Sequence, residues 1–304
     1  MNGLLVSLQD AVVQGVLWGI MVLGVYITFK LLDIADLTVD GSFAMGGCVC
    51  AVMILNFKAD PWIALLAATL AGMAAGAVTG LLHTVFEIPA ILAGILSQIG
   101  LWSINLRIMS RKSNVPLSKT DTIFLQFINS TGLNKQVGSI VIGIGVSIVV
   151  IVFLYWFFGT EIGSSMRATG NNEAMIRAQG VNSNFTKLLA LMISNGLVGL
   201  SGGLICQSQK FADINMGTGA IVIGLAAIVI GEVLMGRLLS FGSKLASAVA
   251  GSVIYFLIRA IVLRMGMDAN DMKLLSAAIV AVSLSVPVII RKYRLSKAYT
   301  EGGI

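Results

Sequence analysis

Apolar runs of about twenty residues, parted by short polar breaks, recur along the whole chain. They cover 11–29, 37–57, 61–82, 88–106, 138–158, 188–206, 219–235, 245–263 and 274–290. A helix rises about 1.5 Å per residue, so runs of this length suit a hydrocarbon layer of about 30 Å. The pattern predicts an all-α integral membrane protein with about nine (8–10) transmembrane helices. The longest gaps, 107–137 and 159–187, are too short for an independent hydrophobic core. The chain 1–304 is therefore read as a single transmembrane domain. Its first run lacks a basic leader and a small-residue cleavage site, which predicts a retained helix rather than a signal peptide.

One run breaks the pattern with "LTVDGSFAMGG", which sets Thr38, Asp40, Gly41 and Ser42 inside an apolar stretch. An Asp at the centre of a lipid-facing helix costs about 2.5–3.5 kcal/mol on insertion scales, so such residues face a cavity or a partner. Shifted by 177 positions, residues 19–47 align without a gap on 196–224, matching Gly19 with Gly196, Leu23 with Leu200, Asp36 with Asp213 and Gly47 with Gly224. The match is weak in identities, but four spans, one span and four spans would give an inverted repeat, with halves 11–106 and 188–290. Inverted repeats place a solute path between their halves, lined by interrupted helices. On this reading 37–41 and 215–219 are unwound helix ends, and Asp36, Thr38, Asp40, Ser42, Asn215 and Thr218 line the path. The competing reading is that Asp40 merely caps a helix starting at Gly41.

Composition supports the membrane assignment: 57% of the 304 residues are hydrophobic and 11% charged, where a soluble domain is about a quarter charged. Mean hydropathy is +0.94. The net charge of +6 then reads as an orientation signal and not as a nucleic-acid footprint. Arg291, Lys292, Arg294 and Lys297 follow the last run and predict a cytoplasmic C-terminus at a cell membrane. Cys48, Cys50 and Cys206 lie in apolar runs and read as small packing residues. With one histidine and no nucleophile–base pair or ligand cluster, the chain offers no catalytic residues, metal site or cofactor site.

The segment 159–187, "GTEIGSSMRATGNNEAMIRAQGVNSNFTK", is polar and falls on the cytoplasmic side in this topology. Asn171 suits a helix N-cap, Glu173 the first turn, Ala174, Met175 and Ala178 a small apolar face, and Gly180 a left-handed stop. So short a helix needs something to pack against. An ordinary capped loop helix and a docking helix fit these residues equally well.

The string Asn172-Glu173-Ala174, followed by Arg177-Ala178-x-Gly180-Val181-Asn182, resembles the cytoplasmic loop of ABC importer permeases of the branched-chain amino acid and ribose type. The stretches 8–47 and 199–236 resemble the helix pairs of those permeases, and "LTVDGSF" is closest to a subgroup associated with aromatic amino acid (tryptophan or tyrosine) uptake. The resemblance implies a coupling helix that fits a groove on a separate ATPase, with Asn172, Glu173, Ala174, Arg177 and Gly180 as coupling residues. Met175 departs from the usual third residue of the E-A-A triplet. The resemblance also implies a second permease subunit, most simply a second copy, and an extracytoplasmic solute-binding protein. No phosphate loop occurs, since "GRLLSFGSK" misplaces its lysine, so the chain is read as a transport subunit and not an enzyme. The alternative is a stand-alone proton- or sodium-coupled transporter using Asp40, Glu87 or Glu232.

Three smaller features leave choices open. Gly72, Gly76 and Gly80, with Gly199 and Gly203, permit close helix contact either within a subunit or across a dimer. His83 and Glu87, four apart, suit a capping or solvated role, a proton relay or a metal pair. Arg259 lies near a span end and can reach outward, while Glu232 and Arg237 bracket a turn.

Overall fold

The first helix, α1 (Asn2–Tyr26), continues through a π-helical turn at Ile27–Leu31 and then stops. This computed structural model describes residues 2–118, 120–235, 240–266, 271, 274, 276–282, 285 and 288–289. After α1 come α2 (Thr38–Leu55), α3 (Pro61–Thr84) and α4 (Ala90–Ile108), then β1 (Asn114–Pro116), α5 (Ile123–Thr131) and α6 (Lys135–Phe157). Next are α7 (Glu161–Asn171), α8 (Glu173–Ala178), α9 (Ser183–Gln209), β2 (Phe211–Asp213), α10 (Ala220–Met235) and α11 (Phe241–Arg264). The two strands pair antiparallel, Val115 opposite Ala212, and tie the α4–α5 connection to the end of α9.

Among the described residues seven helices are long and apolar enough to cross a membrane: α1 with its π turn, α2, α3, α4, α6, α9 and α11. The protein is an all-α membrane protein. α10 is shorter, with 16 residues. These eight helices match the first eight predicted runs, whereas the ninth, 274–290, is only partly described and the count of nine is not established. The basic tail and Arg237 lie outside the described residues. The sequence did not reveal α5 or α7, whose apolar positions are too few to form a run.

α1 and α9 are the most buried spans and α4 the least. The centre closes tightly because small residues let backbones touch. A side chain on Gly72 or Gly76 of α3 would run into the Asn195 or Leu191 carbonyl of α9, and one on Gly46 of α2 would strike Gly199. These glycines therefore pack helices of one subunit together, which decides the choice left open by their spacing.

Two helix interruptions share one design. The chain leaves helix at 32–37 before α2 and at 210–219 before α10. In the first, the Thr38 amide donates to Asp36 Oδ1 at 2.9 Å; in the second, the Asn215 amide donates to Asp213 Oδ1 at 2.8 Å. These are the same turn, 177 residues apart. The first break lies upstream of the expected 37–41, because α2 is already helical from Thr38. Asp36, free of the helix, supplies the acceptor that starts it.

Candidate translocation site and coupling surface

Asp40 sits in the first turn of α2, but its carboxylate serves another helix. Oδ2 accepts the Gly219 amide at 2.8 Å and Oδ1 the Ile221 amide at 3.0 Å. The first N–H groups of a helix have no partner within it, and the macrodipole adds partial positive charge there. Asp40 thus caps α10 from 179 and 181 positions away in sequence, and not the helix at Gly41 that the competing reading assigned to it. The close approach requires Gly217, since any side chain there would meet the Asp40 carbonyl. The other end of α10 is held by an ion pair, Lys30 Nζ to Glu232 Oε2 at 2.9 Å.

Behind this contact runs a buried polar network. Asn195, fully buried in the middle of α9, donates from Nδ2 to Asp36 Oδ2 at 2.6 Å and accepts from Ser42 Oγ at 2.7 Å. Thr38 Oγ1 lies 2.7 Å from Thr79 Oγ1, which in turn donates to Ser97 Oγ at 2.7 Å. Asp36, Thr38 and Ser42 are all buried. They tie α2 to α9, α3 and α4 and line neither of the cavities beside α10.

Those cavities flank the start of α10. One, of about 860 Å³, lies near the strand end of the bundle, with Asp10, Gln14, Trp18, Asn215, Thr218 and Arg259 among its walls. The other, of about 310 Å³, lies between α2 and α4 and includes Asp40, Asn105 and Thr218. Thr218 borders both, beside the Asp40 cap. Of the six candidate path residues, Asp40, Asn215 and Thr218 therefore meet open space, and Asp36, Thr38 and Ser42 do not. Asn105 and Asn195 escaped the sequence reading. Each is one amide in an apolar run, and only its partners give it meaning.

At the opposite end, α7 packs against Leu31 and leads into α8. Asn172, not Asn171, is the N-cap of α8: its Oδ1 accepts the Met175 amide at 3.0 Å, while Asn171 is the last residue of α7. Gly180 follows with φ of +84°, the left-handed stop. Ile176 is buried, whereas Ala174, Met175 and Ala178 are exposed, Met175 by 49%. Glu173 faces its own protein: Oε2 takes Lys187 Nζ at 2.7 Å, and Oε1 takes an Arg177 guanidinium nitrogen at 2.6 Å and Ser183 Oγ at 3.0 Å. Arg177 also donates from Nε to Ser183 Oγ at 2.6 Å. Glu173 and Arg177 thus brace the helix, and the small apolar residues form its free face.

The hydrogen bond from Lys187, aided by Ser183 and the two positive charges, holds the Glu173 carboxyl below the usual carboxylate range despite some desolvation. A depressed pKa contributes stability above the unfolded value of about 4.3 that is lost as pH falls through the folded one. Backbone amides of α8 are expected to keep constant exchange protection from about pH 7 to 5, after correction for intrinsic rates, and to lose it below about pH 4. Loss already between about pH 6 and 5 would exclude Glu173 as the brace.

His83 Nδ1 lies 2.9 Å from the Ile88 carbonyl, a capping contact at the end of α3. Arg259 lies over the Phe256 ring at 5.7 Å. The three cysteines are buried and free.

A bundle of membrane-crossing helices with interrupted elements and cavities at the breaks is a polytopic membrane protein. The chain belongs to the family described as branched-chain amino acid transport system permease component, whose model matches residues 7–284. It is 39% identical over 272 residues to a tyrosine transport system permease protein of Clostridioides difficile (strain R20291), covering 90% of this chain and 88% of that one. It is 28% identical over 199 residues to the ribose import permease protein of Escherichia coli (strain K12), covering 64% and 60%. An inner membrane ABC transporter permease protein of the same strain is 26% identical over 225 residues, covering 73% and 65%. The family is that of multi-pass permease components of ABC importers for amino acids and sugars.

Proposed function

We propose that this chain is the transmembrane subunit of an importer that moves an amino acid, aromatic for preference, using ATP hydrolysed by a separate ATPase docked on α8. A second permease subunit, most simply a second copy, completes the path, and an extracytoplasmic binding protein delivers the cargo. The α8 end and the C-terminus face the cytoplasm. The carrying observation is the braced helix whose apolar residues, Ala174, Met175 and Ala178, stay uncovered while Glu173 is tied to Arg177, Ser183 and Lys187 of its own chain. A surface loop serving only its own chain would bury that apolar face. The amino acid assignment leans on "LTVDGSF" and on the relative named for tyrosine transport. Asp40, Asn215 and Thr218 belong to the path in this reading, and Asn172, Glu173, Arg177 and Gly180 shape the coupling helix.

The ion-driven alternative loses two of its three carboxylates to structural tasks: Asp40 caps α10, and Glu232 pairs with Lys30. Met175→Glu tests the docking reading, because it charges an exposed position and should leave the fold intact. Co-purification of the ATPase is expected to be lost and ATP-driven uptake in vesicles to fall at least about tenfold, the loss of one good apolar contact or more. Uptake by the permease alone on an ion gradient would overturn the proposal.

A further inference from the structure

We infer that the cavity of about 310 Å³ between α2 and α4 binds a primary ammonium group, the α-ammonium of the transported amino acid. This rests on the amino acid reading above and goes beyond it by assigning a site within the permease. The polar side chains around the cavity are Asp40, Gln98, Ser103, Asn105 and Thr218, and no lysine, arginine or histidine lines it. Every one of these side chains offers an oxygen acceptor, and the one formal charge is negative.

Asn105 carries the assignment. It is fully buried, and its Oδ1 has no hydrogen-bond partner. Turning the amide over does not remove the orphan: Nδ2 donates to the Gly41 carbonyl at 3.3 Å, and the flipped amide would press oxygen against oxygen. The free atom is thus an acceptor. A buried acceptor without a donor costs about 1–3 kcal/mol, a cost that a donor-bearing ligand would relieve.

Asp40 adds the charge. Its carboxylate takes one amide on each oxygen, and a carboxylate has about four acceptor positions, so each oxygen keeps capacity for a further donor. Among the described residues the side chains of Gln98, Ser103 and Thr218 make no hydrogen bond either. An ammonium has three donors and no acceptor, which suits Asp40, Asn105 and one hydroxyl together. A ligand bearing only a carboxylate or phosphate, with no ammonium of its own, would meet Asp40 with no cation to balance it. Trp102 forms an aromatic wall, and an aromatic face attracts a cation as well as a ring. The volume lies at the lower end of ligand pockets, about 300–1,000 Å³, room enough for an organic cation rather than a bare ion.

The test uses the permease–ATPase complex in lipid nanodiscs without the binding protein, which would otherwise select the cargo first. Binding of radiolabelled tyrosine is competed with tyramine, which keeps the ammonium, and with 3-(4-hydroxyphenyl)propionate, which lacks it. Tyramine is expected to displace the label, and the deaminated acid to fail at about a hundredfold higher concentration. Thr218→Val, which keeps the shape, and Asn105→Leu are each expected to weaken binding about tenfold. Equal competition by the deaminated acid, or wild-type binding in both variants, overturns the site. Competitive displacement by sodium or potassium at millimolar levels would make it an inorganic ion site and overturn it too. Vesicle uptake with the binding protein separates the two proposals. Amino acid uptake without ammonium discrimination sinks the site alone. Absence of amino acid uptake sinks the cargo reading, and the site then stands or falls on direct binding of labelled tyramine.

Discussion

Asn195→Leu is expected to destabilise the permease by about 3 kcal/mol or more, enough to change a folded-to-unfolded ratio about a hundredfold. Leucine nearly matches asparagine in size, so no large cavity opens. What disappears is the donor to Asp36 Oδ2 and the acceptor for Ser42, both fully enclosed. A buried carboxylate stripped of a partner costs more than the bond was worth, because neither water nor lipid replaces it there. The exchange Asp36→Asn with Asn195→Asp reverses the roles and keeps the bonds to Thr38, to Ser42 and between the two side chains, losing only the Asn195 Nδ2 bond to the Leu191 carbonyl at 3.0 Å: the side-chain amide now at position 36 still accepts the Thr38 N–H and donates across to the carboxylate at position 195. Thermal midpoints in mild detergent should fall sharply for Asn195→Leu and return part of the way in the exchanged pair. An exchanged pair no more stable than the single variant would show that packing at Asn195, not the hydrogen bond, holds α2 to α9.

Asp40→Ala should uncap α10. Two amides, Gly219 and Ile221, lose their acceptor at this half-buried site at up to about 1–3 kcal/mol each, and the helix dipole loses its counter-charge. Together that is at most about 2–6 kcal/mol, partly offset where the α10 start frays into the adjoining cavities. Asp40→Asn keeps one acceptor oxygen and turns an NH₂ toward the second amide, so a smaller loss follows. Hydrogen exchange should locate the damage: faster exchange at 219–223, with the first turn of α2 unchanged. Faster exchange confined to 38–42 would show that Asp40 serves only its own helix. Transport should fail in Asp40→Ala, because α10 is held at its two ends by side chains, Asp40 at one and Lys30 at the other.

The spans could be read from the chain because helices in hydrocarbon must satisfy their backbone internally, so each needs a continuous apolar run. That constraint is local, and α2, α3, α4, α6 and α11 fall within a few residues of their predicted ranges. The short helix α8 was legible because its signals are equally local: an acidic first turn, a small apolar face and a glycine stop lie within about ten residues, with the cap one residue later than expected, at Asn172. Its polarity was not. Glu173 and Arg177 looked like contact residues, yet Ser183 and Lys187, 10 and 14 positions from Glu173, draw the carboxylate inward.

Asp40 marks the boundary most clearly. The sequence by itself determined that an acidic residue beside glycines in an apolar run must find a partner, since lipid offers none. It also determined eight apolar stretches that form helices, the second of the two helix breaks and that one short polar helix stands apart. Only the tertiary structure decided the partners. Asp40 found the α10 amides, Asp36 found Asn195, and Asn105 kept an acceptor unmatched. A hydrogen bond across 159 or 179 positions of chain leaves no periodic trace in it, because pattern and capping rules extend over a few turns and no farther.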